Sequence, residues 1–296
     1  MPHVLHQHPF TPYDRAPDES ADDFRAIEFR DDMIPTPASG DFRHRVGVRP
    51  LDLADWLPAD AESAPTIAMK RELLATRRDE VVALHPGGEV AAEEAARLVA
   101  DWCGGTLVGT GVDALVEAAL LVADDLTVLE PNESGELVFV AGVVCSPSRW
   151  RLAEKMGQPM LAVHEPVSRY AEHIGAAVDA TLSRMSVERP LWRSNWTLED
   201  HPSLFQPEPP DRPLVEDPAL LWIRMERETL RRLPSSGGVL FTIRGFQQPL
   251  PQYVASRPER AATLATLVER LPDDLARYKS VLAYRSAVLE WLRAAA

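Results

Sequence analysis

The sequence predicts an α+β fold, a mostly antiparallel sheet flanked by helices. Two observations carry this. Strand-like segments come as two pairs, each closed by a short turn, which is the pattern of β-hairpins. Segments with apolar residues at helical spacing flank those pairs, and helices set around hairpin-paired strands define this class.

At the start of the chain, Pro2, Pro9, Pro12, Pro17, Pro35 and Pro37 interrupt any regular element. An irregular arm is expected over 1–40, packed on the body or on another subunit. His3, His6 and His8 lie in it, either as a metal site or as plainly solvated side chains. The remainder, 41–296, reads as one α+β domain.

Residues 65–84 place Ile67, Leu73, Leu74, Val81 and Val82 at helical spacing, and His85-Pro86-Gly87-Gly88 stops that helix. A second helix is expected over Glu89–Trp102, ended by Gly104-Gly105, and the two suggest a helical hairpin. The period then becomes strand-like. Leu126–Glu130 and Glu136–Cys145 form the first strand pair around Pro131-Asn132-Glu133-Ser134-Gly135. The second strand is apolar on both faces at its centre, as a buried strand would be.

Ser146-Pro147 offers an N-cap serine and a first-turn proline, so a helix is expected through SRWRLAEKM. It ends at Gly157, where a left-handed residue is needed. A connector holds His164-Glu165-Pro166-Val167. The next helix, about 168–185, carries Tyr170, Ile174, Val178, Leu182 and Met185 on one face. Residues 199–218 are rich in proline and acid and read as a surface loop.

The second strand pair is Leu220–Thr229 and Val239–Phe246, joined by Pro234-Ser235-Ser236-Gly237-Gly238. Alternation puts Leu221, Ile223 and Met225 on one face and Trp222, Arg224, Glu226 and Glu228 on the other. In the partner strand Leu240, Thr242, Arg244 and Phe246 share a face. A polar face holding Arg224 and Glu226, with Arg244 beside them, either lines a site or meets solvent. Two helices split by Leu271-Pro272-Asp273-Asp274 close the chain as a helical segment over about 258–296.

Composition narrows the function. The net charge is −14, which disfavours a nucleic-acid partner. Such a surface attracts a cationic substrate or a basic protein, or serves solubility alone. Cys103 and Cys145 are too few for a disulfide framework, a structural zinc site or an iron–sulfur cluster. They read as small buried hydrophobes in a reducing, cytoplasmic chain. The opening MPHVLHQHPF lacks a basic start and an apolar signal core, and no run approaches about 18 apolar residues, so no membrane span is expected.

No phosphate-loop, dinucleotide, zinc-protease or serine-hydrolase motif is present. His164 stands out for its place in a helix connector, two residues before Pro166. A histidine held this way presents a ring nitrogen to iron, or serves as a structural hydrogen-bonder.

Five segments, in order, resemble the haem-dependent oxidative N-demethylase α-subunit family. They are GVRPLDLADWL (47–57), CSPSRWRLAEKMGQPMLAVHEPVSRY (145–170), RSNW (193–196), RMERETLRRLP (224–234) and VLFTIR (239–244). The resemblance implies haem b on a PAS-like core and oxidation of a small secondary alkylamine, such as dimethylamine, by O₂. The products would be a dealkylated amine and an aldehyde. Electrons would come from NADPH through partner subunits that carry FMN and an iron–sulfur cluster, since this chain lacks the cysteines for one.

By position in the motifs, His164 is the candidate axial iron ligand. Arg193, Arg227, Arg231 and Arg244 are candidate partners of the haem propionates. Tyr170, Arg224 and Glu226 are candidate catalytic residues: Glu226 as the carboxylate for an alkylammonium, Tyr170 as an aromatic donor. Ser146, Ser168 and Gly245-Phe246 depart from the family's pattern near the expected pocket. A haem-PAS sensor or carrier without turnover, and a haem-free interaction protein, are the competing readings.

Overall fold

The structure, a computed structural model, describes residue 33 and residues 46–164, 175–208, 215, 217–257, 259–279 and 281–296. Its centre is one sheet of seven strands: β1 (Arg49–Pro50), β2 (Val82–Leu84), β3 (Asp125–Pro131), β4 (Leu137–Val143), β5 (Leu191–Glu199), β6 (Trp222–Arg232) and β7 (Val239–Pro249). Their order is β1-β5-β6-β7-β3-β4-β2, and every neighbouring pair is antiparallel. The α+β class expected from the sequence is what forms, and the order is compatible with a PAS-like core.

Both expected hairpins are present, and local chemistry explains their turns. Between β3 and β4 the Asn132 side chain accepts from the backbone N–H of Ser134 and of Glu136, while Gly135 takes a positive φ of 82°. Between β6 and β7 the Glu94 carboxylate accepts from the N–H of Ser235 and of Ser236.

β5 was not foreseen as a strand. Trp192, Trp196 and Leu198 alternate with Arg193, Asn195 and Thr197, an apolar row broken only by Ser194, and the strand pairs with β6 along nine positions.

The register defines two faces. The back face carries Trp196, Leu198, Ile223, Met225, Leu126, Val128 and Leu240. Over one end pack α1 (Ser63–Thr76), α3 (Glu89–Cys103) and α4 (Gly111–Ala119). Over the other pack α7 (Leu250–Ala255), α8 (Glu259–Arg270), α9 (Asp273–Tyr278) and α10 (Arg285–Ala295). The front face has its main apolar cluster at one end. There Leu129, Phe139, Leu230 and Val239 meet Leu182 and Met185, around α6 (Ala176–Arg184).

Several expectations are corrected. The helix expected over 65–84 stops at Arg77, whose φ of −139° leaves the helical region. A single turn, α2 (Arg78–Val81), follows, and Val82–Leu84 instead becomes an edge strand on β4. The helical hairpin is formed by α3 with α4, a helix not anticipated, as their apolar faces share one cluster.

No helix starts at Ser146-Pro147. The buried Asp125 carboxylate accepts from the N–H of Cys145 and of Ser146, and Arg149 has a left-handed φ of 63°. Only a short 3₁₀ turn, Leu152–Lys155, forms before Gly157, whose φ of 71° is the expected left-handed stop. The 199–218 stretch is not simply surface, since Ser203, Leu204 and Phe205 are buried. Cys145 is buried as expected, whereas Cys103 is exposed at the end of α3.

The arm over 1–40, with His3, His6 and His8, lies outside the described residues apart from Met33, and so do Tyr170 and Ile174. No described helix is long and apolar enough to cross a membrane.

Candidate functional site

Beyond that cluster β5 and β6 present mostly polar side chains on the front face. Asn195 stands opposite Glu226, and Arg193 opposite Glu228. Arg193 Nε lies 3.3 Å from the Glu228 carboxylate. Burial pushes the Glu228 carboxyl above its usual range, and Arg193 opposes that shift.

Glu226 is held at both oxygens. Oε1 accepts from Arg224 Nε at 3.2 Å and Oε2 from Asn195 Nδ2 at 3.3 Å. Arg224 is wholly buried and donates its remaining nitrogens to the carbonyls of Leu204 (3.0 Å) and Ser146 (2.5 Å). Gly245, opposite Glu226 on β7, leaves room there: a Cβ would come within 3.4 Å of Leu204 and 3.7 Å of Arg224.

His164 follows α5 (Met160–Val163), whose Met160 and Val163 pack against the apolar end of the front face. Its Nδ1 lies 2.8 Å from the Met160 carbonyl. A carbonyl only accepts, so Nδ1 carries the proton and the lone pair resides on Nε2. Burial holds the imidazole at about 4, the Met160 bond works against this, and the positive charges of Arg193 and Lys155 add to it. The ring is therefore neutral at physiological pH.

The C-terminal helices contribute as well. β1 pairs with only the first two positions of β5, so among the described residues the strand's edge beyond Trp192 has no further strand partner. Lys279 lies along that edge. Its Nζ donates to Asn195 Oδ1 (2.9 Å) and to the Trp196 carbonyl (2.7 Å), and its own carbonyl accepts from Thr197 Oγ1 (3.0 Å). Burial lowers its ammonium to about 8, with Glu226 and Glu228 opposing and Arg193 assisting. The half-exposed Tyr278 is pushed up by burial and by the same two glutamates.

A second buried network adjoins this one. Arg149 pairs with Glu199 (2.7 Å) and Asp200 (3.3 Å), Ser148 donates to Glu199, and Tyr284 donates to Asp200 at 2.6 Å. Nothing in the sequence signalled it.

Of the candidate residues, the fold brings His164, Arg193, Arg224 and Glu226 to the front face. It does not bring Arg227, Arg231 or Arg244 there. These alternate with Arg224 and Glu226 along β6, or pair opposite Arg227 on β7, and so emerge on the back face. Arg227 donates to the Asp55 carbonyl at 2.7 Å, Arg231 stacks 4.0 Å from the Trp56 ring, and Arg244 pairs with Asp60 at 2.9 Å and donates to Thr66 at 3.1 Å. The expectation that Arg244 joins the face of Arg224 and Glu226 is thereby corrected. Tyr170 lies outside the described residues. Asn195, Tyr278 and Lys279 were missed as site residues. Asn195 at least sat within the RSNW segment, whereas Tyr278 and Lys279 read only as the middle of a helix.

Among the described residues no group of three or more His, Cys, Asp or Glu side chains is placed to hold a metal ion. A macrocycle-bound iron needs only one axial side chain from the protein, and a neutral, oriented histidine has the chemistry for it. Arg193 beside it is a cation for an anionic edge of such a group. Residues 106–289 match a family profile described as haem-dependent oxidative N-demethylase, alpha subunit-like.

Proposed function

The chain belongs to the haem-dependent oxidative N-demethylase alpha subunit-like family, and on that premise we propose that it is the haem-binding subunit of a cytoplasmic amine N-demethylase. Residues 41–296 act as one haem-binding domain. The substrate is a small secondary alkylamine of the dimethylamine kind, and O₂ is the oxidant. Electrons pass from NADPH through partner subunits that carry FMN and an iron–sulfur cluster.

The observation that carries this reading is the pairing, on one sheet face, of a neutral histidine whose Nδ1 is tied to Met160 with the Arg193–Glu228 and Arg224–Glu226 pairs. When bound, haem b supplies the iron that activates O₂ and withdraws electrons from the amine.

The chain's own residues do the rest. Nε2 of His164 holds the iron. Arg193 meets a propionate, while the back-face position of Arg227, Arg231 and Arg244 suits them to packing. Glu226, held at both oxygens by Arg224 and Asn195, attracts the alkylammonium. Glu228, whose carboxyl is shifted up by burial, is the acceptor for the proton the amine must shed before its N-methyl carbon is oxidised. Tyr170 is the proposed aromatic wall.

The test is an absorption spectrum of protein produced with a haem precursor, oxidised and then reduced, followed by an assay of formaldehyde release from dimethylamine with O₂ and a reductant. A Soret band with near-stoichiometric haem and O₂-dependent release is the expected result. A folded, colourless protein overturns the haem reading, and haem without turnover would make the chain a sensor or carrier.

A further inference from the structure

We propose that Lys279 is a positioning residue for the carboxylate of Glu226, acting through Asn195. This rests on the reading of Glu226 as the amine-binding group.

The Asn195 amide has one acceptor and two donors. Its acceptor, Oδ1, is taken by Lys279 Nζ at 2.9 Å, which turns Nδ2 toward Glu226 Oε2 at 3.3 Å. Without the ammonium only Glu226 itself would orient the amide, at one end, and any flip of Asn195 would set an oxygen against the carboxylate. The lysine is in turn immobilised. Its Nζ also donates to the Trp196 carbonyl, lies 5.6 Å from the Trp196 ring centroid, and its backbone carbonyl accepts from Thr197. Residue 279 is thus pinned to three successive residues of β5.

The charges facing this unit come from two strands. Arg224, Glu226 and Glu228 lie on β6, and Arg193 and Glu199 on β5. Glu226 consequently has a fixed donor at each oxygen, and its remaining lone pairs point in set directions for an incoming N–H. The C-terminal helices thereby belong to the site, not only to the core behind the sheet.

The test follows the side-chain amide of Asn195 by hydrogen exchange in ¹⁵N-labelled full-length protein. Dimethylamine affinity is measured by calorimetry on the same samples. Lys279→Met is expected to speed Asn195 exchange and to weaken dimethylamine, each by about tenfold, the size of one lost charge-assisted hydrogen bond. Lys279→Arg, which keeps a cationic donor, is expected to retain both within about threefold. Unchanged Asn195 exchange in folded Lys279→Met overturns the proposal. If that variant does not fold, Lys279→Gln, with its neutral donor, is the substitute and is expected to accelerate exchange; no acceleration overturns the proposal equally. If the wild type binds no dimethylamine, the amine reading fails, and the exchange data alone still decide the role of Lys279.

Discussion

Arg224 Nε lies 3.2 Å from Oε1 of Glu226, two residues further along the same strand, and the same guanidinium holds the carbonyls of Ser146 and Leu204. One buried cation therefore joins the exit of β4, the loop after β5 and the site carboxylate. Arg224→Met is expected to destabilise the protein by about 3–5 kcal/mol, because two buried carbonyls and a carboxylate lose their donor together. Urea unfolding measures it. A loss below about 1 kcal/mol, the scale of an exposed ion pair, would show that the guanidinium holds nothing together.

His164 stands at the end of a four-residue helix, and its ring makes a local bond back to Met160. His164→Ala should abolish or shift the Soret band while the haem-free variant melts within a few degrees of the wild type. Full haem occupancy with an unchanged Soret band would move the axial ligand elsewhere.

The arginines divide by face. Arg193→Gln is expected to weaken haem retention, since it removes the cation beside His164. Arg231→Gln is expected to leave haem content intact and to lower stability by about 1 kcal/mol through the lost stacking on Trp56. Haem content of the two purified variants, read from the pyridine haemochrome, decides between the faces. Loss of haem in the Arg231 variant alone would return the back face to the site.

The depressed value of Lys279 makes a stability claim. Its ammonium titrates at about 8 in the folded chain against an ordinary 10.5. Between those values the unfolded chain binds more protons than the native one, so the contribution of Lys279 to stability rises with pH through that window and falls away as pH drops from 10.5 to 8. The difference in unfolding free energy between wild type and Lys279→Met should therefore move in favour of the wild type from pH 8 to pH 10. The expected gain is on the order of 2 kcal/mol, discounted because the side chain is not wholly shut off from solvent. A flat difference across that range would contradict the burial of its charge.

Much of the fold was legible because its signals are local. Asn132 and Gly135 make one turn by their own hydrogen bonds and backbone freedom, and the Gly237-Gly238 pair with its flanking alternation announces the other. The position of Gly157 likewise marked a left-handed stop correctly. The strand content of β5 was harder to read: Trp192, Trp196 and Leu198 alternate with Arg193, Asn195 and Thr197, but Ser194 breaks the apolar row and no hairpin turn joins the segment to its partner β6. The Ser146-Pro147 start signal was real as a propensity, but the buried Asp125 carboxylate claims the two backbone N–H groups there, and tertiary bonding prevailed.

The sequence by itself determined the class of the fold, the two hairpins and the family to which the chain belongs. Tertiary structure alone decided which side of the sheet Arg244 serves. Arg224 and Arg227 are three residues apart, so they emerge on opposite faces, and only the pairing of Arg227 with Arg244 shows that Arg244 goes with the back face. It alone also brought Lys279, more than fifty residues further along the chain, against Asn195 and Glu226. Strand register and long-range packing are set by the sum of many weak contacts across the core, and no short run of residues records that sum.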